Sequence, residues 1–487
     1  MAKKQVALVL SGGSSLGAYM SGALDELLKG FAAAADAYEI DIITGASAGA
    51  TTSALIAHGL LYKGGNTALH DVWVDNVDIV DLLAPDVPTG VWPSVLNGRR
   101  LQELAQQALA WPNAQDQGTR AAFCAPNLTV AMTITNTSSL PYVSRIRQPA
   151  AGRDEPYVQY RNAEQETFYL TNQVGPTDPM WQRIGTVARA SAAIPFVFPL
   201  VQLARRAGEP SDDTQYIQKP SFSGEAHFWY ADGGTFNNLP VDLAWYHIRK
   251  RNSNLDDRVV IVVNPWHRSA DPPDLNPPYP GFVPHALGML SAVMRESSAL
   301  QFQNEIIFPS QGGLPASGTP TPTTLPADGE RALVGVDPAP VNLLGNFALV
   351  MPQASDSRLH GNHLHAMGAF LDRRFREYDF RRGAADAQRM LQQTLQITYD
   401  AARPAGFYDP DSDPALKADL STYAGLDSIP SARDPKQTVR QVFEGALGRR
   451  IDALIKAWNM PGPDLVEDPI AATIIKRLVF QQLPAGW

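Results

Sequence analysis

The segment at residues 40–49 reads Ile40-Asp41-Ile42-Ile43-Thr44-Gly45-Ala46-Ser47-Ala48-Gly49, and a run of mostly small residues continues it to Ala57. Its first half has the nearly continuous apolar character of a buried strand, and the run after Ser47 favours a helix. A serine between strand and helix, with glycines two residues to either side, is typical of a sharp turn that exposes a nucleophile. We predict that Ser47, supported by Gly45 and Gly49, is a catalytic nucleophile; the alternative is a structural turn with an N-capping serine.

The chain before this segment has the same order of strand and helix. Val6–Leu10 predicts a buried strand and Ala18–Leu28 a helix. Strand, helix, strand and helix in succession indicate a parallel sheet with right-handed crossovers. Further strands are predicted at Leu128–Thr135, Tyr142–Ile146, Tyr157–Tyr160, Thr167–Leu170, Phe228–Ala231 and Val259–Val263, some of them forming an antiparallel edge.

A glycine-rich loop follows the first predicted strand and reads Ser11-Gly12-Gly13-Ser14-Ser15-Leu16-Gly17. Such a loop presents backbone N–H groups to an anion beside the start of a helix. It also resembles a dinucleotide-binding fingerprint, but that motif requires a glycine where Ser14 stands. An oxyanion hole fits better, and its predicted donors are the N–H groups of Gly12, Gly13 and Ser14.

A carboxylate is predicted to complete the site. The stretch Tyr230-Ala231-Asp232-Gly233-Gly234 places an aspartate at the end of a short apolar strand. By itself this is also the pattern of an ordinary Asp-Gly turn. Together with Ser47 and the glycine-rich loop, it favours Asp232 as a catalytic base, with Gly233 and Gly234 supporting its turn.

Histidine offers an alternative base. His360, His363 and His365 follow Asp232 in the order that a Ser–Asp–His triad requires, and His227 lies near Asp232 in sequence. The cluster at 360–365 lacks a clear acidic partner or a helical pair of histidines, so we interpret its members as solvent-facing loop residues rather than metal ligands. No metal and no cofactor are predicted.

Composition limits the remaining classes. The 487 residues are 44% hydrophobic and carry a formal net charge of −9. An acidic chain is a poor general ligand for nucleic acid, so no such partner is expected. The apolar run Val6–Leu10 is too short for a signal peptide, and no window reaches the length of a membrane-spanning helix. These features indicate a soluble protein, cytoplasmic by default.

Together, the three motifs resemble the patatin-like phospholipase family, which combines an N-terminal glycine-rich oxyanion loop, a G-x-S-x-G elbow and a later D-G-G. The resemblance covers roughly residues 5–265, including Arg189–Pro199, and weakens through about 390. It implies a three-layer α/β/α core with a mostly parallel sheet, and attack by Ser47 assisted by Asp232. The chain departs from the family loop at Ser14, which replaces a glycine, and at Leu16, which replaces a basic residue that could attract phosphate-bearing substrates.

The predicted organisation is an acyl hydrolase domain at 1–390 and a helical C-terminal extension at 391–487, with candidate helices from about 437 to Trp458 and at Ile470–Phe480. The predicted function is hydrolysis of fatty acyl esters of lipids or lysolipids, with a membrane surface as one potential place of action. The alternatives are a general carboxylesterase or acyltransferase on the same dyad, and a non-catalytic lipid-binding relative. The oligomeric state and the lipid head group stay open.

Overall fold

The computed structural model describes residues 3–65, 67–86, 94–109, 118–148, 153–206, 216–218, 224–251, 257–266, 289, 292–300, 347–352, 359–362, 366–399 and 423–457. The predicted helix Ile470–Phe480 lies outside these residues. None of the helices within them combines the length and the apolar character that crossing a bilayer needs.

The described strands form one mixed sheet. They are β1 Lys4–Leu10, β2 Tyr38–Gly45, β3 Cys124–Gln148, β4 Arg153–Leu170, β5 Val201–Arg206, β6 Tyr216–Gln218, β7 Glu225–Asp232, β8 Arg258–Val263 and β9 Phe347–Val350. Their order is β5-β7-β3-β2-β1-β8-β9, with β4 and β6 also pairing with β3. The run from β3 to β9 is parallel, and β7 pairs antiparallel with β3. The predicted parallel sheet with an antiparallel edge is confirmed.

The described helices connect and cover these strands. They are α1 Gly17–Ala33, α2 Ala48–Tyr62, α3 Ile79–Leu82, α4 Arg99–Leu109, α5 Met180–Ser191, α6 Val241–Lys250, α7 at 292–300, α8 Arg373–Gln393 and α9 Val439–Ala457. Because α8 continues past 390, one helix crosses the predicted domain boundary, which stays a prediction.

The sheet lies between two helical layers. On β1, the side chains of Val6, Leu8 and Leu10 belong to a large apolar cluster that includes residues of α1, α2, α5 and α8. The alternate residues, Ala7 and Val9, pack in a second cluster with α6. Successive side chains of a strand point to opposite faces, so an uninterrupted apolar strand requires cover on both sides. This arrangement confirms the three-layer α/β/α core.

The strands of the antiparallel edge are longer than the sequence predicted. Three short strands were predicted between residues 142 and 170, whereas β3 and β4 pair along a long antiparallel hairpin with a register shift between Thr135 and Leu140. Strand β5 was not predicted, and it pairs with β7 at the outer edge. The pairing partners, rather than the local apolar pattern, set the length of these strands.

Helices α1 and α8 cross at two glycines. A Cβ atom on Gly22 would lie 1.7 Å from the carbonyl oxygen of Phe380, and one on Gly383 would lie 1.9 Å from that of Tyr19. Next to the crossing, the hydroxyl of Tyr19 donates to Asp386 at 2.8 Å. The two backbones are therefore in direct contact.

We expect Gly22→Ala to reduce the free energy of unfolding by about 2–4 kcal/mol, because the added methyl group must push two packed backbones apart. The matched control is Gly448→Ala in α9, where a Cβ atom would have nothing within 4 Å. That change should be neutral or stabilise by about 0.5–1 kcal/mol, since alanine favours helices. Urea unfolding of both variants measures the difference, and equal stabilities would contradict the described crossing.

The C-terminal helix α9 is held to the core by a buried arginine. The guanidinium of Arg450 donates to the carbonyl oxygens of four residues between α3 and α4: Ala84, Asp86, Ser94 and Val95. These bonds replace the solvation that the buried group has lost. Helix α9 is therefore packed against the segments that precede α4.

Candidate active site

Ser47 occupies a strained turn between β2 and α2. Its backbone has φ 51° and ψ −121°, a conformation that costs a non-glycine residue about 1–3 kcal/mol. The N–H of Ala46 donates to the carbonyl of Leu10 at 3.1 Å, and that of Ser47 donates to Ser191 Oγ at 2.9 Å. A Cβ atom on Gly49 would lie 2.3 Å from the carbonyl oxygen of Leu10, so the turn requires glycine there.

Ser47 and Asp232 are in direct contact. Ser47 Oγ donates to Asp232 Oδ2 at 2.6 Å, and both residues are buried. The other carboxylate oxygen accepts the N–H of Gly234 at 2.7 Å. The backbone of Asp232 is fixed as well, because its N–H donates to Ala193 and its carbonyl accepts from Thr135 Oγ1, both at 2.8 Å. The carboxylate is therefore held with one oxygen on the serine hydroxyl.

Burial sets the proton affinity of this carboxylate. Desolvation raises the pKa of Asp232 to about 7, although the hydrogen bonds from Ser47 and Gly234 act in the opposite direction. A carboxylate with this pKa is a stronger base than an ordinary one, and it is still largely ionised slightly above neutral pH.

The glycine-rich loop lies beside the serine. A short 3-10 turn at Ser14–Leu16 leads into α1, and Ser14 has φ 48°. The N–H of Gly12 donates to the carbonyl of Asn238 at 2.9 Å, so this predicted oxyanion donor is already engaged. Within the described part of the chain, the N–H groups of Gly13 and Ser14 have no hydrogen-bond acceptor. A Cβ atom on Gly12 would lie 3.0 Å from that of Ser47, so the loop contacts the serine closely.

A family model for patatin-like phospholipases matches residues 8–245. Residues 8–245 belong to the patatin-like phospholipase family. The match contains the glycine-rich loop, Ser47 and Asp232, and the α/β core described above agrees with it.

Two curated relatives and one solved structure are similar to this chain. "Uncharacterized protein y4iI" of Sinorhizobium fredii is 24% identical over 81% of this chain and 65% of that protein. "Uncharacterized membrane protein Rv3479" of Mycobacterium tuberculosis is 26% identical over 55% of this chain and 24% of that protein. The crystal structure of VipD from Legionella pneumophila has 12% identity and a TM-score of 0.31, covering 100% of this chain and 88% of that chain. The chain thus spans less than two thirds of either curated relative.

Sequence reasoning missed two polar residues of the patatin-like site. Ser191 accepts the backbone N–H of Ser47, and Asn238 occupies the N–H of Gly12. Asn238 is itself held by two hydroxyls of α7, those of Ser297 and Ser298. The only sequence signal was proximity: Ser191 lies in the family-like segment Arg189–Pro199, and Asn238 follows the D-G-G motif by a few residues.

The described histidines make their contacts outside the candidate dyad. Within the described residues, no histidine hydrogen-bonds to Ser47 or Asp232. His227 is exposed on β7 beside Glu225. The prediction that His360 faces solvent is wrong: its ring packs between Phe375 and Tyr378 and is 5% exposed. His363 and His365 lie outside the described residues.

The described residues contain one cluster with metal-ligand geometry, which lies outside the dyad. His70, Asp71 and Asp75 bring potential ligand atoms within 4.8 Å of one another. The ring nitrogens of His70 already contact Asp75 and Glu377, both at 3.0 Å. These carboxylates raise the pKa of His70, which indicates a charged hydrogen-bond network.

Ser47 lines a narrow cavity, called here the apolar pocket. With its mouth included it encloses about 750 Å³. Its walls come from α2, α4 and α5 and from the turn at Asp71–Asn76, and include Leu55, Val72, Trp73, Leu104, Ala188 and Phe370. Leu16, which replaces the basic residue of the family loop, is buried beside this site among Tyr19, Leu359 and Ala366.

Proposed function

We propose that this chain hydrolyses fatty acyl esters of lipids through an acyl-enzyme on Ser47, with Asp232 as general base. The observation that carries the proposal is the 2.6 Å hydrogen bond from Ser47 Oγ to Asp232 Oδ2, with Ser47 in the wall of the apolar pocket. The family match supports lipid acyl hydrolysis as the general activity. The pocket supports a substrate with a long apolar chain. Its walls are mostly apolar, so a ligand gains binding free energy there by burying apolar surface.

The proposed reaction has two halves. Asp232 takes the proton of Ser47 as the hydroxyl oxygen attacks the ester carbonyl, and the N–H groups of Gly13 and Ser14 bind the oxyanion. Protonated Asp232 then gives its proton to the leaving alcohol. In the second half, Asp232 takes a proton from the water that attacks the acyl-enzyme. It returns this proton to Ser47 Oγ as the bond between Oγ and the acyl carbon breaks, so the fatty acid leaves and the starting dyad is restored.

Two features of the site support a dyad without histidine. The raised pKa of Asp232 makes its carboxylate a stronger base than an exposed aspartate. The second is preorganised charge: Ser47 precedes the first turn of α2, whose N-terminal partial positive charge favours the developing oxyanion. Each oxyanion donor is worth roughly 3–4 kcal/mol in comparable sites.

Labelling with a fluorophosphonate probe tests the proposal directly. An activated Ser47 should react, and the Ser47→Ala variant should not. Identification of the fatty acids released from a lipid panel then separates a lipid hydrolase from a general carboxylesterase, which would prefer short acyl chains. Failure to label and to hydrolyse any ester would leave a lipid-binding relative as the function. We also propose residues 1–390 as the catalytic unit.

The apolar pocket should determine chain length. Ala188 lines it from α5 and is 3% exposed. We expect Ala188→Leu to lower kcat/KM for palmitoyl esters by about tenfold or more relative to butyryl esters, because the larger side chain fills space that a long acyl chain needs. Steady-state kinetics on the two esters measure this ratio. An unchanged ratio, or an equal fall on both esters, would place the acyl chain elsewhere.

A further inference from the structure

Arg189 lies where three cavities meet. It is in the last turn of α5, two residues before Ser191, which contacts the backbone of Ser47. It lines the apolar pocket and two wider cavities. Among the described residues that line the apolar pocket, Arg189 is the only charged one.

The guanidinium of Arg189 has no partner within the described part of the chain, although the residue is part-buried. Other part-buried arginines are paired: Arg183, on the same helix, contacts Glu166 at 2.6 Å, and Arg205, on β5, contacts Glu164 at 3.0 Å. Burial lowers the pKa of Arg189, because its charged form is partly desolvated. A partly desolvated cation without a partner is a cost to the fold that a bound anion would remove.

One of the two wider cavities suits an anion, and we call it the arginine cavity. It encloses about 1210 Å³ with its mouth included, and its described lining contains Arg99, Arg189 and Arg450 but no carboxylate. Arg450 donates to backbone carbonyls and Arg99 to Asp86, so Arg189 is the member whose donors have no acceptor among the described residues. The third cavity includes Asp178 and is less suited to an anion.

We propose that Arg189 binds the phosphate of a phospholipid or lysophospholipid substrate. The proposal rests on the proposed function: the acyl chain would lie in the apolar pocket with its ester at Ser47, and the rest of the head group would lie in the arginine cavity. A guanidinium presents two parallel N–H donors that match two phosphate oxygens, and such charge-assisted pairs are among the stronger hydrogen bonds. Arg189 would be a specificity-determining residue, because a neutral ester has nothing for it to bind.

The test compares oleoyl-lysophosphatidic acid with oleoylglycerol, which lacks only the phosphate. We expect Arg189→Gln to lower kcat/KM for the phosphate-bearing substrate about 10- to 100-fold more than kcat/KM for oleoylglycerol. Arg189→Lys should retain part of the preference as a point charge. An equal change on both substrates, or none on either, would overturn the proposal.

Arg183→Gln is the matched control on the same helix. It removes the same charge from a residue that is paired with Glu166 and lines none of the three cavities. It should lower the Tm without changing the ratio of kcat/KM for the two substrates. Arg189→Gln should change that ratio without lowering the Tm, because the charge that it removes has no partner among the residues that the structure describes. A fall in Tm with an unchanged ratio would make Arg189 a structural residue.

Binding separates this proposal from the proposed function. In the Ser47→Ala background, where no substrate is consumed, oleoyl-lysophosphatidic acid should bind at least about tenfold more weakly after Arg189→Gln. This result would support the phosphate site even if the chain hydrolyses nothing. Oleate is the second arm: if its binding weakens as much as that of the lysophospholipid, Arg189 recognises the carboxylate of the fatty acid, and the phosphate proposal is wrong.

Discussion

Ser47→Ala is expected to reduce ester hydrolysis by at least about 10⁴-fold, because the acyl-enzyme cannot form without the hydroxyl oxygen. The fold should remain intact, since alanine is smaller than serine and the elbow is held by backbone bonds of neighbouring residues. Measurements of kcat/KM with a chromogenic ester and thermal unfolding of the variant test both parts.

Ser21→Ala is the matched control for this change. Ser21 is a buried serine of α1, and its hydroxyl has no hydrogen-bond partner in the described structure. Its removal should leave hydrolysis within about twofold, as expected for a change away from the reacting groups. If the Ser47→Ala variant kept activity within tenfold of the parent, the nucleophile would have to be another residue.

Asp232→Asn is expected to lower hydrolysis by about 10³- to 10⁴-fold and, unlike Ser47→Ala, to stabilise the protein at alkaline pH. The activity falls because an amide cannot accept the serine proton. The stability rises because the folded protein buries the negative charge of Asp232. The groups that shift its pKa are Ser47 and Gly234, and neither is a cation that could offset the desolvation. Asparagine carries no charge to bury.

The pH dependence of stability follows from the direction of this shift. The pKa of Asp232 is about 7 in the folded chain against an ordinary 3.8. The stabilising contribution of its protonated form is complete below pH 3.8 and is lost as the pH rises through about 7. Asp379, also buried, has its pKa raised to about 7 for the same reason. The Asp232→Asn variant should therefore lose less stability than the parent as the pH rises from 3.8 through about 7. It should still lose some, because Asp379 remains.

Unfolding by urea at a series of pH values measures this difference. The variant should gain on the order of 1–4 kcal/mol relative to the parent between acidic and alkaline pH. In parallel, kcat/KM of the parent should rise as the pH increases through about 7, because the ionised carboxylate is the base. A variant that is less stable than the parent at alkaline pH would contradict the described burial of the charge.

Local patterns predicted the motifs because their physics is local. The apolar run before Ser47 and the small residues after it specify a strand and a helix with a tight turn between them, and glycine is required wherever two backbones approach closely. The same holds for the glycine-rich loop and for the turn after Asp232. Each motif needs only its own neighbours to adopt its shape, so the sequence indicated the α/β core and the candidate dyad.

Local patterns failed where a group's partner is distant in sequence. The N–H of Gly12 was predicted as an oxyanion donor, but Asn238 occupies it from the loop before α6. His360 was predicted to face solvent, but Asp379 of α8 accepts the N–H groups of His360 and Gly361 and holds that turn inside. Hydrogen-bond partners contributed by remote segments leave no periodic signal in the sequence.

The sequence by itself determined the local motifs on which the proposed chemistry rests: a serine at an elbow, an aspartate at a strand end and a loop of small residues. Only the tertiary structure decided how these groups act, because burial, charge compensation and distance depend on the packing of remote segments. The parallel pairing of β2 with β3 and the antiparallel pairing of β3 with β7 bring the Ser47 elbow and Asp232 together. The same packing raises the pKa of Asp232 and leaves Arg189 without a partner among the described residues.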